Sequence, residues 1–346
     1  MNKQLHQYIE RETAEVRTET LFGDKIVNFI YSHVREDASV LFNALTSARM
    51  SRLLGYVNYD SMTMARLAGA KRFIAISGVD LDECVDKPGS FKSLRDVFER
   101  KIRFWETRPM PNDIHAVVSP ADGKILVGSL SETSQLFLKD KFFEYEELLG
   151  ETATTWHNAF YEGNFAIVRL TPEKYHYNHV PVTGTVVAIY ELPGSYHPCN
   201  PAVVLSIATP CSKNKRIVTI IDTDVEGGTG IGLVAMIEIV ALMIGDIVQC
   251  YSTVRYENPV PVCKGMYLLK GQPKSLYRPG SSTDVLLFQK NRISFSDDLV
   301  KNMYRPDVHT RFSRGFVRPL VETEVHVRAR IGEARENPSE DAVING

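Results

Sequence analysis

Beyond residue 115 the sequence is a succession of short runs rich in valine and isoleucine, separated by glycine, proline and acidic turns. The runs are AVVSPADGKILVGS, NFAIVRLTP, GTVVAIYELPG, RIVTIIDTD, LVAMIEIVALMIGDIVQCY and DVLLFQKNRISF. β-Branched residues suit the pleated surface of a sheet, and glycine and proline mark the turns between strands. The pattern predicts an extensive sheet or pair of sheets, without a repeat of fixed period.

The first ninety residues have a different pattern, which predicts mainly helices. Between residues 25 and 57 apolar residues recur at helical spacing, and residues 90–105, SFKSLRDVFERKIRFW, form a further amphipathic pattern. Two interpretations of the apolar face at 25–57 are open. It packs on the rest of the protein or on a partner subunit, or it rests on a membrane surface with its arginines toward lipid headgroups.

Composition argues against several classes of function. A formal net charge of -2 argues against nucleic acid as the main partner, because phosphate binding requires a basic excess. The five cysteines contain no C-x-x-C pair, which indicates a reducing compartment rather than a disulfide framework. The most apolar stretch, 231–247, contains Glu238 and Asp246, so we predict no transmembrane helix. The N-terminus lacks a signal-peptide pattern, and a cytosolic protein is favoured.

Two patterns in the sequence resemble ligand sites without satisfying their rules. The run GGTGIG at 227–232 has Leu233 where G-x-G-x-x-G requires glycine, and no lysine follows, so we predict a loop between strands. His176 and His179 lack the H-E-x-x-H pattern and an obvious third ligand, so we predict no metal site.

Four segments, in order along the chain, resemble motifs of the phosphatidylserine decarboxylase family. They are SPADG at 119–123, YHYNHVPVTG at 175–184, NKR at 214–216 followed by DTD at 222–224, and GSSTDVLLF at 280–288. They are similar to the family's P-A-D-G, Y-H-x-x-H-x-P-x-x-G, N-K-R with its acidic turn, and G-G-S-T-x-x-L-L-F. The similarity extends over nearly the whole chain.

This resemblance implies an α+β fold, with a helical N-terminal region packed on a mostly β catalytic domain. The helical and possible membrane-facing region would span 1–105, the decarboxylase domain 106–335, and a loose polar tail 336–346. The resemblance also implies a phospholipid substrate, peripheral contact with a membrane surface, and a homodimer of processed α and β chains. The expected location is the cytoplasmic face of a membrane, or the cytoplasm.

The family's reaction converts phosphatidylserine to phosphatidylethanolamine and CO2 through a Schiff base, and it requires an electron sink. The sink is a protein-derived pyruvoyl group, made when a serine attacks the preceding carbonyl and the resulting ester undergoes β-elimination. Such a serine needs a base within reach and a carboxylate to orient the base. The resemblance assigns Ser282 as nucleophile and pyruvoyl precursor, His176 as base and Asp122 as orienting carboxylate. His179 receives a lesser role, in substrate contact or protonation, because strand alternation would send the two imidazoles to opposite faces.

The processing motif departs from the family pattern at Ser281, where glycine normally precedes the cleaved serine. Counting back without a gap from residues 286–288 selects cleavage between Ser281 and Ser282, which we prefer. A Gly-Ser junction would instead select cleavage between Gly280 and Ser281. Serine adopts some glycine conformations only at a cost, so we expect Ser281 to restrict the strained turn.

A second departure concerns the substrate. Leu242 and Met243 stand where the phospholipid enzymes usually have two polar residues. Two alternatives are therefore kept: a related decarboxylase that acts on a free amino acid, and a non-processing relative that only binds lipid or a protein partner.

Overall fold

The structure is a computed structural model that describes residues 5–19, 74–75, 78–131, 145–196, 210–241, 246–279, 282–312 and 319–335. Its strands are β1 (Gln7–Glu10), β2 (Val16–Thr18), β3 (Ala116–Val118), β4 (Gly123–Ser129), β5 (Asn164–Leu170), β6 (Tyr177–His179), β7 (Gly184–Leu192), β8 (Arg216–Asp222), β9 (Leu233–Val240), β10 (Ile247–Gln249), β11 (Tyr267–Leu268), β12 (Pro273–Tyr277), β13 (Ser282–Phe288), β14 (Ile293–Phe295), β15 (Thr323–Val325) and β16 (Arg330–Ala334). Its α-helices are α1 (Leu94–Phe98), α2 (Phe104–Thr107), α3 (Tyr145–Leu149), α4 (Thr154–Phe160), α5 (Pro210–Lys213) and α6 (Asp297–Met303), and a 3-10 turn covers Pro88–Ser90.

The main sheet has ten strands in the order β11-β7-β8-β9-β13-β5-β4-β15-β1-β2. Its described pairings are antiparallel except for that of β1 with β15. Two three-stranded sheets, β10-β12-β6 and β14-β16-β3, accompany it. β13 lies between β9 and β5 and pairs with both along its whole length. The segment that resembles the processing motif is therefore a central strand.

Both faces of the main sheet are covered. On one face Leu286 and Phe288 of β13 join a large core with Val168 and Val240. On the other face Val285 and Leu287 pack in a second core that includes helices α3 and α4. A strand buried on both faces has apolar residues at successive positions instead of a strict alternation. This explains the run VLLF at the end of β13.

The prediction of a mostly β protein with some helices is confirmed. Each valine- and isoleucine-rich run beyond residue 115 contributes at least one strand. The glycine-rich run lies between β8 and β9, as predicted. In the described residues no helix has the length and apolarity needed to cross a membrane.

The helical prediction for the N-terminal region is wrong at two points. Residues 7–18 form β1 and β2. β1 pairs with both β2 and β15, and β2 is the edge strand of the main sheet. Residues 90–105 form two short helices, since a capping box at Ser93 begins α1 and a β-bridge between Cys84 and Ile102 interrupts the helix beyond it. The predicted helical face at 25–57 and the polar tail at 336–346 lie outside the described residues. The division into domains stays a prediction.

Candidate active site

Ser282 and Asp122 lie at the same end of the main sheet, on either side of β5. Ser282, the first residue of β13, pairs with Leu170, the last residue of β5, and with Val240, the last residue of β9. Asp122 immediately precedes β4, whose Lys124 pairs with the residue before Leu170. Neighbouring strands are about 4.8 Å apart. The register therefore brings two of the predicted site residues to one edge, although 160 positions separate them in sequence.

Ser282 is a buried serine whose hydroxyl has no hydrogen-bond partner among the residues that the structure describes. Its side chain is almost wholly inaccessible, and its Oγ has no acceptor or donor within reach in the described part of the chain. Such a group costs free energy in a folded protein, and native structures contain few of them. Leu170 and Val240 stand directly across from it on both neighbouring strands. A methyl group would fit this environment better than a hydroxyl.

Asp122 is a buried carboxylate held by three groups. It accepts hydrogen bonds from Arg108 Nε (3.0 Å) and Nη2 (2.8 Å), and from the backbone nitrogen of Val327 (2.7 Å). Nδ1 of His326 lies 3.6 Å from its Oδ1. Burial raises the pKa of Asp122, but Arg108 and His326 outweigh this effect and hold the pKa far below its usual range. The contact with Asp122 in turn raises the pKa of His326. Asp122 is therefore a permanent negative charge.

His176 is a buried imidazole with one free nitrogen. Its ring stacks on Phe98 of α1, with centroids 3.5 Å apart. Its Nε2 lies 3.4 Å from the carbonyl oxygen of Pro172, whereas Nδ1 has no partner among the described residues. A carbonyl only accepts, so Nε2 carries the hydrogen and Nδ1 keeps its lone pair. Burial, reinforced by the Arg100 cation, lowers the pKa of His176 to about 3. The ring is a neutral base at ordinary pH.

Arg100 fixes the segment that leads to His176. Its guanidinium donates to the carbonyl oxygens of Val97 (3.0 Å), Glu173 (2.8 Å) and Lys174 (3.1 Å). These contacts join the end of α1, which carries the stacking partner of His176, to the loop between β5 and β6. The position of the imidazole follows from this connection.

His179 differs from His176 in having both ring nitrogens engaged. Nδ1 donates to the carbonyl oxygen of Gly271 (2.9 Å), and Nε2 lies 3.0 Å from the hydroxyl of Tyr175. The ring meets Phe104 edge-on at 4.7 Å. Burial lowers the pKa of His179 to about 3. The two imidazoles have no hydrogen-bond partner in common among the described residues.

The predicted triad does not form a continuous hydrogen-bond chain here. Among the described residues no hydrogen bond links Asp122 to His176, or His176 to Ser282, and the imidazole nearest Asp122 is His326. The roles given to Asp122, His176, His179 and Ser282 stay predictions. Gly280 and Ser281, which complete the two possible cleavage junctions, lie outside the described residues, as do Leu242 and Met243.

A buried polar network beside Ser282 was not predicted from the sequence. Glu238 of β9 accepts hydrogen bonds from Lys274 Nζ (2.6 Å), Gln249 Nε2 (2.9 Å) and Asn178 Nδ2 (3.1 Å), and also from Ser275. The network joins the sheet β10-β12-β6 to the main sheet. The one signal of this network in the sequence is Glu238, a carboxylate within an apolar strand. A carboxylate rarely stays buried without a partner.

Asp284 is two residues from Ser282 on the same face of β13, directly opposite Glu238. Burial and the nearby Glu238 raise the pKa of Asp284 well above its usual range. The hydroxyl of Tyr277 accepts from the backbone nitrogen of Ile239 (3.0 Å) and lies 3.1 Å from the carbonyl oxygen of Thr283 and 2.8 Å from Oδ1 of Asp284. The Tyr277 hydroxyl can donate to either of these two oxygens. Its contact with Asp284 lowers the pKa of that acid, but burial and Glu238 outweigh this effect.

Comparison with known proteins bears on the function of this site. A family model described as phosphatidylserine decarboxylase matches residues 94–312. The chain is 28% identical over 316 residues to a phosphatidylserine decarboxylase proenzyme of Fusobacterium nucleatum subsp. nucleatum, covering 91% of this chain and 97% of that protein. It is 30% identical over 294 residues to the proenzyme of the same name from Chlamydia trachomatis serovar D, covering 85% and 90%. A Clostridium tetani proenzyme of that name is 25% identical over 297 residues, covering 85% and 91%.

Proposed function

The chain belongs to the phosphatidylserine decarboxylase family, and from this premise we propose that it is a self-processing proenzyme whose mature form converts phosphatidylserine to phosphatidylethanolamine and CO2. The observation that carries the proposal is the buried hydroxyl of Ser282, at the first residue of the central strand, which has no hydrogen-bond partner among the described residues. Enzymes of this family are decarboxylases that depend on a pyruvoyl group, which supplies an electron sink for the carbon that loses CO2.

The surroundings of Ser282 suit conversion to a pyruvoyl group. After the ester forms, elimination releases the serine oxygen as part of the Ser281 carboxylate, and water then replaces the α-nitrogen, which leaves as ammonia. The Cβ becomes a methyl group beside the new ketone, opposite Leu170 and Val240, where the hydroxyl has no partner among the described residues. Ser282 is the residue that would carry the group.

His176 and Asp122 are the proposed groups for processing. Nδ1 of His176 would take the proton of the Ser282 hydroxyl as Oγ attacks the carbonyl carbon of Ser281. The carbon–oxygen bond forms, the peptide carbon–nitrogen bond breaks, and the proton passes to the released nitrogen. Asp122 would stabilise the cation that develops on His176 by its charge, since Arg108 keeps it ionised. His179 keeps a lesser role in substrate contact, because its two nitrogens are engaged.

Membrane contact and dimerisation are proposed on the same premise. A lipid substrate resides in a bilayer, so the enzyme must approach the membrane surface to reach its headgroup. We propose peripheral contact on the cytoplasmic face, and a homodimer of processed chains. The names of the similar proteins favour a phospholipid substrate over a free amino acid, and processing over a non-processing relative.

Intact mass measured on freshly purified protein tests the proposal, with Ser282→Ala beside the wild type. We expect the wild type to separate into residues 1–281 and residues 282–346 with a blocked N-terminus, and the variant to stay whole. The processed protein should release phosphatidylethanolamine from phosphatidylserine vesicles. A folded wild-type chain that stays whole would overturn the proposal. Activity on free serine without vesicles would instead assign a free amino acid as the substrate.

A further inference from the structure

Two arginines near the candidate active site have no carboxylate partner in the part of the chain that the structure describes. The guanidinium carbon of Arg328 lies 5.0 Å from the ring centroid of Phe104, and that of Arg255 lies 4.0 Å from the ring centroid of Trp105. Phe104 and Trp105 are consecutive residues of α2, with ring centroids 5.3 Å apart. Two cations therefore stack on two adjacent aromatic rings.

Arg328 keeps unused hydrogen-bond donors. Its Nη1 donates to the carbonyl oxygen of Phe104 (2.8 Å), which is its only side-chain hydrogen bond to a described residue. Its Nε is buried and has no acceptor among the described residues. Burial lowers the pKa of Arg328, as expected for a cation without a carboxylate beside it. An incompletely solvated cation gains most when an anion binds it.

Both arginines occupy the left-handed backbone region, with φ of 72° for Arg328 and 55° for Arg255. This region favours glycine, and long side chains enter it only at a cost. Strained positions of this kind concentrate at functional sites, where the surrounding structure maintains them. Both positions thus carry arginine where the backbone conformation favours glycine.

Arg328 adjoins the residues of the candidate active site. The preceding residue, Val327, donates its backbone N–H to Asp122 (2.7 Å), and the backbone N–H of Arg328 donates to Ser119 (2.9 Å). A Cβ placed on Gly271 would stand 3.2 Å from Arg328 Nε, and the Gly271 carbonyl binds His179. An anion on Arg328 would therefore lie beside the groups proposed for processing and substrate contact.

We propose that Arg328, assisted by Arg255, binds the anionic phosphodiester of the substrate headgroup. This inference rests on the proposed function, because that function supplies a phosphorylated headgroup. A guanidinium presents parallel N–H donors that match two oxygens of a phosphate, and an aromatic ring holds its plane in position. The carboxylate of the serine headgroup is also an anion that a guanidinium can bind. The experiment distinguishes binding of the phosphodiester from binding of this carboxylate.

The test uses the full chain carrying Ser282→Ala, which needs neither processing nor turnover. Isothermal titration calorimetry would measure the binding of glycerophosphoserine, inorganic phosphate and free serine. We expect Arg328→Gly to weaken glycerophosphoserine binding about tenfold or more, the loss expected for a charge-assisted hydrogen-bond pair. The Tm of the same variant should stay close to that of the parent, because relief of backbone strain offsets the lost contacts with Phe104. A smaller loss is expected for Arg255→Ala.

Asn291→Gly is the matched control, since Asn291 also has a left-handed backbone (φ 61°) and follows the opposite end of β13 from Ser282. It should raise Tm without changing affinity. Weaker binding of glycerophosphoserine and phosphate, with free serine unchanged, supports the proposal. Unchanged affinity in Arg328→Gly, a loss confined to free serine, or a parent chain that binds none of the probes overturns it. The mass measurement on the wild type tests the proposed function independently.

Discussion

The ammonium nitrogen of Lys274 lies 2.6 Å from a carboxylate oxygen of Glu238, and neither side chain has any exposed surface. Lys274 belongs to β12 of a three-stranded sheet, and Glu238 belongs to β9 of the main sheet. The ion pair thus joins two sheets beside the strand that begins at Ser282. Each charge depends on the other, because neither is accessible to water.

Removal of one partner should therefore be costly. We expect Lys274→Met, in the Ser282→Ala background that keeps the chain whole, to lower the free energy of unfolding by about 3–5 kcal/mol. Urea denaturation measures this change. Lys290→Met is the control, since Lys290 pairs with Glu162 at the surface, and its denaturation midpoint should not change. Adding Glu238→Gln to Lys274→Met should restore part of the stability. A loss below about 1 kcal/mol would contradict the assigned burial of an ion pair.

The neutral state of Asp284 predicts a particular pH dependence. Its folded-state pKa is raised, so above the unfolded pKa of about 3.9 the folded chain binds one more proton than the unfolded chain. Stability from this group is complete below that pH and falls by up to about 1.4 kcal/mol per pH unit until the folded pKa is reached. In the Ser282→Ala background, Asp284→Asn should remove this term. The free energy of unfolding of the Asp284→Asn variant, relative to that of the parent, should therefore rise with pH. Urea denaturation at several pH values measures this difference. A pH-independent difference would show that Asp284 is ionised in the folded chain.

The residue before the cleaved serine offers a test of the cleavage register. Glycine should reach the strained conformation at the junction with about 1 kcal/mol less cost than serine, so Ser281→Gly should accelerate self-cleavage about three- to tenfold. Gel analysis of newly translated chain measures the rate, and mass analysis should show an α chain of residues 282–346. Ser281→Ala should not accelerate cleavage. Abolished cleavage in Ser281→Gly would move the nucleophile to Ser281.

Two histidines compete for the role of base. Nδ1 of His176 has no partner in the described part of the chain, whereas His326 is the imidazole beside Asp122. We expect His176→Gln to slow self-cleavage by about 10²- to 10⁴-fold, and His326→Gln to slow it less than about tenfold. The reverse order, measured on newly translated chain, would assign the base to His326.

The pH dependence of cleavage adds a second readout for His176. Burial lowers its pKa to about 3, so the neutral base is fully available from about pH 5 to pH 8. As the pH is lowered through 6.5, the wild-type cleavage rate should therefore not fall through protonation of His176. The pH profiles of the wild type and of His176→Gln should have the same shape across this range. A decline that only the wild type shows would mean that the imidazole titrates as an exposed histidine does.

Local pattern predicted many of the strands, whereas the family resemblance supplied the candidate residues. Valine- and isoleucine-rich runs favour extended backbone, and each predicted run beyond residue 115 contains at least one strand. The short strands β6, β11, β12, β15 and β16 lie outside those runs and were not predicted. The resemblance selected Asp122 and Ser282, and the register of β4, β5 and β13 places them at one end of the sheet. The prediction of N-terminal helices was wrong at 7–18, because β1 pairs with β2 and also with β15, which is more than 300 residues away in sequence.

The chain's own sequence thus determined which segments form strands and which residues could carry the chemistry, because these properties depend on neighbours along the chain. Tertiary structure alone decided the partners. Asp122 is paired with Arg108 and His326, and Glu238 with Lys274, because strand register and sheet packing bring together side chains that are distant in sequence. The free energy of a buried charge depends on those partners and on exclusion of water, and neither quantity is encoded in a local pattern.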